Sequence, residues 1–249
     1  MLYPLDLARN TDGGHISERL AYRVGGVCGL VLGLAYLVII ALYAPIGAPP
    51  VSVDGLLPYL ARSSTRWSWI IGLSVMTDFL FVPLALSIYF ALRKVNSYTA
   101  CLAAACVILF VLLDLAITWT NYASLMTLAS AYRSTVTEAE RTAILTMATP
   151  AAALLHSNLL FVYNTLTLAV GILLSGIIML RSTFGKSTAY LGVATGCAGI
   201  LSVIGPFFAS ALQNAIIVAS SLTALWLFIV GYQFCRMAAR TPSDVPLSS

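Results

Sequence analysis

Six long apolar stretches constrain this chain more than any other feature. Their approximate limits are 20–44, 67–92, 98–122, 151–180, 188–209 and 213–236. Each reaches the roughly 20 apolar residues that a helix needs to cross a bilayer. In hydrocarbon every backbone N–H and C=O must be satisfied internally, so each stretch is expected to be helical. Composition agrees. Hydrophobic residues make up 60% of the chain and charged residues 9%, where a soluble domain carries about 25% charged. Mean hydropathy is +0.94. Soluble and disordered classes are thereby excluded. The expected fold is all-α, a polytopic six-transmembrane-helix bundle. Residues 1–19 form a polar lead-in with Ser17 as a cap for the first helix, 20–237 the transmembrane domain and 238–249 a tail. The first stretch is too long to be a cleavable signal peptide.

The breaks between the stretches set orientation. One side collects Arg9, Arg19, Arg23, Arg93, Lys94, Arg181, Lys186, Arg236 and Arg240. The other holds Arg62, Arg66, Arg133 and Arg141. The positive-inside rule places the richer side, and with it both termini, in the cytoplasm. An even number of spans returns the chain to that side. The two long breaks are then external. Residues 45–66 carry Pro45, Pro49, Pro50 and Pro58, and Asp54–Arg62 suits a short interfacial helix. Thr135-x-x-Glu138 and Thr137-x-x-Glu140 have capping-box spacing, which predicts a second external helix over 137–148. Pro150 stands before the fourth span. A tight turn at 209–213 makes the last two spans a hairpin.

Two glycine series bear on packing. Gly25, Gly29 and Gly33 repeat in the first span, and Gly192 and Gly196 in the fifth, followed by Gly199. Small residues at this spacing let backbones approach in lipid, within one chain or across a homodimer. Pro83 and Pro206 are expected to kink their spans.

All but two charged residues lie at or near the ends of the stretches or in the breaks between them. The exceptions are Asp78 and Asp114. A charge at the bilayer centre costs at least about 2.5–3.5 kcal/mol, so both need a reason. Asp78 falls near the midplane. Thr118 and Asn121 follow Asp114 on one α-helical face. His156, Tyr163 and Thr167 share a face of the fourth span, Asn158 and Asn164 lie nearby, and Gln213 and Asn214 open the sixth. No Lys or Arg lies beside either aspartate. Protonation, a shared hydrogen bond or a bound cation would each make them tolerable. As polar glue, each aspartate is neutral and bonds a neighbouring helix. As a site, they form an outward-facing pocket: Asp78 is the deep proton or cation site, Asp114 and His156 are outer contacts, and Asn121, Tyr163, Asn164, Gln213 and Asn214 are lining.

Several chemistries lack their residues. Both lysines, Lys94 and Lys186, lie outside the spans, so no retinal Schiff base is available. The aspartates lack the Gly-x-Gly-Asp context of intramembrane proteolysis. Cys28, Cys101, Cys106, Cys197 and Cys235 form no C-x-x-C. His15 precedes the spans, which leaves His156 without a second axial ligand for haem. No zinc or phosphate-loop motif occurs. The sequence therefore points to no cofactor, no metal and no nucleic-acid partner, and away from an enzyme. The expected partners are the bilayer, a small-molecule ligand, and either a second copy or a membrane complex. In the last case the chain would be an accessory subunit docking through its glycine faces.

Three stretches carry a family likeness. They are Ala85 to Asn96, the Thr137–Ala148 helix leading to His156-Ser157-Asn158, and Phe184-Gly185-Lys186 with Leu191-Gly192-Val193. In these the chain resembles uncharacterised prokaryotic membrane proteins grouped as domain of unknown function 4386. The resemblance implies six helices, a plasma-membrane location and no established activity. It also implies a histidine at the start of helix four, where His156 stands. The family's Arg and Glu or Gln in helix three are replaced here by Val107 and Phe110.

Overall fold

The computed structural model describes residues 11–209, 212 and 215–240; for 11–17, Asn158 and Phe161 it describes the backbone alone. Among the described residues nine α-helices follow in order: α1 (Thr11–Tyr43), α2 (Val53–Arg62), α3 (Ser64–Leu92), α4 (Ser97–Leu113), α5 (Thr120–Ser134), α6 (Glu138–Leu155), α7 (Asn158–Met179), α8 (Lys186–Ile204) and α9 (Ala215–Arg240). Six helical segments of the described residues are long and apolar enough to cross a membrane. The protein is therefore a multi-pass helical bundle. Its six spans close into a ring in chain order, since α1 packs on α3, α3 on α4, α4 on α7, α7 on α8, α8 on α9, and α9 on α1.

Backbone contact holds the ring. A Cβ built on Gly29 meets the Gly231 Cα at 2.7 Å, and one on Gly196 meets the Leu173 Cα at 2.7 Å. Gly192 lies against Gly176 and the Trp226 indole, Gly33 against Phe228, and Gly25 against Ser87. Both glycine series are thus covered within one chain. Inside the ring lies an apolar core that includes Phe81, Leu84, Val107, Ile172, Leu227 and Phe234.

A second core sits at the end of the bundle away from the start of α1. Here α2, α5 and α6 pack together over the first turns of α3. Leu56, Leu57, Leu60, Trp67, Leu125 and Ala148 are buried in this cap. Thr137 opens α6 with a complete capping box on Glu140, which fixes where the helix starts.

Several local expectations are corrected. Ser17 lies inside α1 instead of capping it. The third span does not stop near 122; α4, a π-helical turn (Asp114–Trp119) and α5 form one helix of 38 residues. At 1.5 Å per residue that is about 57 Å, well beyond the roughly 30 Å hydrocarbon core. The expected fourth span, 151–180, is divided. α6 runs through Pro150 to Leu155, and the chain breaks at His156 and Ser157 before α7. Pro150 does not end α6 because Ala148, Ala151 and Ala152 bury that face in the cap core, and packing outweighs the lost backbone bond. Pro206 terminates α8 in a 3-10 turn, Gly205–Phe207, and does not kink it. α9 continues to Arg240, three residues past the expected limit of the domain.

Candidate functional site

Asp78 stands midway along α3, and Asp114 opens the π turn. Both are buried, with 2% and 7% of their surface exposed. They meet through one donor. The Trp119 indole Nε1 donates to Asp78 Oδ2 at 2.9 Å and to Asp114 Oδ2 at 3.1 Å. The two carboxylate oxygens therefore lie no further apart than those two bonds laid end to end. Asn164 on α7 donates from Nδ2 to Asp114 Oδ1 at 2.8 Å. Three segments of the ring thus converge on one acidic pair.

The π turn makes this geometry. In an α-helix, residues five apart diverge by about 140° around the axis, so Trp119 would leave the face of Asp114. A π turn bonds i to i+5 and brings such residues back together. The Thr120 hydroxyl donates to the Leu115 carbonyl five residues earlier, at 2.8 Å. Asn121 turns its amide to the Ile117 carbonyl at 2.7 Å, and so serves the irregular backbone and not the pair. The Thr118 hydroxyl is buried near Asp114 but falls short of hydrogen-bond geometry.

Aromatic rings cluster on the helices that carry the pair. Phe81 and Phe110 meet edge to face at 5.8 Å in the ring core, and Tyr36 packs on Phe81 at 6.1 Å. Toward the cap, Trp119 leads to Tyr122 at 5.9 Å, and Tyr122 stacks on Trp67 at 4.9 Å. Trp67 then meets Tyr43 and Tyr59, and the Tyr59 hydroxyl donates to the Gly47 carbonyl at 2.8 Å. Where an open polar vestibule was expected, a column of five rings stands between the pair and the cap loop.

The structure brings together Asp78, Asp114 and Asn164 from the expected set. His156 is placed apart from the polar contacts of that group: its Nδ1 pairs with the Ala152 carbonyl at 2.8 Å and closes the end of α6. Tyr163 is half-buried on α7, one residue before Asn164. Gln213 and Asn214 lie outside the described residues. Val107 and Phe110 are buried in the apolar core. Trp119, Tyr36 and Tyr122 are the residues that sequence reasoning missed. An Asp followed five residues later by Trp was the available signal, and it has meaning only in a π register. Among the described residues, no group of three or more His, Cys, Asp or Glu gathers to hold a metal. In comparisons with known proteins, no family model, curated protein or solved structure matches the chain.

Proposed function

We propose that this membrane protein binds a proton or small cation at the Asp78–Asp114 pair and couples it to the binding or passage of a small solute. The observation that carries the reading is the Trp119 N–H shared by the two buried carboxyls. Two carboxylates this close in an apolar interior repel, and one neutral indole cannot balance them. The sequence supplies no Lys or Arg near either residue. A proton or a bound cation is what remains to compensate the charge. The π turn supports the same reading, because such bulges recur at functional sites. In this proposal the termini face the cytoplasm of a plasma membrane, and outward access requires the ring column above Trp119 to shift.

The test is thermal unfolding of the protein in nanodiscs, across the neutral pH range and in sodium against potassium. The wild-type midpoint is expected to move with pH or cation, and Asp78→Asn is expected to flatten that response. A midpoint indifferent to pH and cation in both proteins would sink the proposal. The accessory-subunit reading draws no support from the glycine faces, because the chain itself covers them.

A further inference from the structure

The ring encloses a cavity of ≈150 Å³ among α1, α4, α7, α8 and α9. Its wall is mostly apolar and includes Phe110 and Ile172. No Asp, Glu, Lys, Arg or His lines it. An apolar space of this size holds a benzene-sized molecule. A charged occupant would find nothing in this wall to balance it.

Five residues of the wall carry a hydroxyl, and they divide into two kinds. Thr195 donates to the Leu191 carbonyl at 2.7 Å and Thr223 to the Ala219 carbonyl at 2.8 Å, so both serve their own helices. Among the described residues, the hydroxyls of Tyr36, Thr165 and Ser220 have no hydrogen-bond partner. Nor are their oxygens closed in by neighbouring atoms, as the unpaired Thr118 hydroxyl is. Tyr36 stands about two turns before the end of α1, and Thr165 about two turns after the start of α7. At that depth hydrocarbon supplies no partner, and an unpaired hydroxyl is unfavourable. A ligand that brings a hydrogen-bonding group relieves this. An apolar wall with a few free polar groups is the usual make-up of a small-molecule pocket.

We propose that the cavity binds a compact neutral alcohol or phenol, its apolar body against Phe110 and Ile172 and its hydroxyl paired with the free hydroxyls of the wall, Tyr36 foremost. As the solute coupled to the acidic pair, this molecule rests on the function proposed above; its binding to the cavity does not.

The experiment is equilibrium binding to the full chain in nanodiscs, with benzyl alcohol as the probe. Two controls have the same shape. Ethylbenzene carries a methyl group in place of the hydroxyl, and benzylamine carries an ammonium group at neutral pH. Benzyl alcohol is expected to bind saturably, which partition into lipid does not, and about tenfold more tightly than either control. Tyr36→Phe is expected to weaken benzyl alcohol and to leave ethylbenzene unchanged. Ser220→Phe, which fills the cavity, is expected to abolish binding.

Equal binding of benzyl alcohol and ethylbenzene overturns the role of the hydroxyls. Benzylamine binding as tightly as benzyl alcohol overturns the neutral class. Neither comparison needs a variant that must fold. Benzyl alcohol binding that survives Ser220→Phe overturns the cavity as its location. If benzyl alcohol does not bind saturably while the wild-type midpoint still responds to pH or sodium, this inference alone falls. If it binds as expected while the midpoint is indifferent to both, the reading of the acidic pair falls and the cavity stands as a ligand site.

Discussion

The six-helix ring and the cap above it differ in what their helices meet through. In the ring, backbones touch: Gly29 meets Gly231 and Gly192 meets Gly176, with no room for a Cβ between them. In the cap, large side chains fill the space: Trp67, wholly buried, stands among Tyr43, Tyr59 and Tyr122. The difference follows from the solvent. Lipid is as apolar as leucine, so helices in it gain little from burying large residues and more from close approach. The cap is built on helices that outrun the hydrocarbon core, and there burial of aromatic surface is again favourable. Trp119 joins the two regions: its N–H holds the acidic pair of the ring helices, and its ring meets Tyr122 of the cap.

The largest expected effect attacks the ring. A Cβ on Gly231 would meet the Leu30 backbone nitrogen at 2.5 Å, so two main chains must part. Gly231→Leu is expected to exceed the about 1–3 kcal/mol of ordinary overpacking. Loss of the folded species, seen as a collapse of the thermal midpoint in detergent, would establish it. An unchanged midpoint would show that the α1–α9 contact is not what holds the ring.

Trp67→Ala tests whether the cap is a separate unit. Deleting so large a buried ring should cost about 3 kcal/mol. Hydrogen exchange should quicken in α2, α5 and α6 and stay unchanged in α1 and α9. Equal quickening in both regions would erase the distinction drawn between them.

The smallest effect lies at the end of the ring opposite the cap. Lys94 Nζ bonds Glu18 Oε1 at 2.6 Å. The hydrogen bond that Lys94 donates to Glu18 first, and the charge of Glu18 second, hold the Lys94 ammonium above its ordinary pKa. A raised folded-state pKa contributes stability that is complete below the unfolded value and is lost as pH rises through the raised one. Lys94 is exposed, so solvent screens the pair and the change is slight. Lys94→Met should remove the alkaline slope of the midpoint and leave its neutral value almost unmoved. An undiminished slope would assign the alkaline loss to another group.

The parts of the fold legible in the sequence are those governed by length and period. Six spans, the α2 helix near 54–62 and the Thr137 start of α6 follow from apolar run length, proline placement and capping chemistry, all of which act locally. Asp78 and Asp114 stood out for the same reason: a charge within an apolar run is anomalous wherever its neighbours lie. Asn121 and His156 were assigned to the pocket on the assumption of regular helices. A π turn altered the register of the first, and a helix break gave the second a backbone carbonyl to pair with.

By itself, the sequence determined that this chain is a six-span membrane protein and that two carboxyls in it need an explanation. Hydrophobicity and charge are sums over residues, so no coordinates are required to read them. Only the tertiary structure decided that the carboxyls face each other across Trp119, that the glycine faces are spent within the chain, and that an aromatic column stands above the pair. Each of these depends on the rotation of one helix against another. A single π turn changes that rotation without leaving a trace in the composition or the period of the sequence.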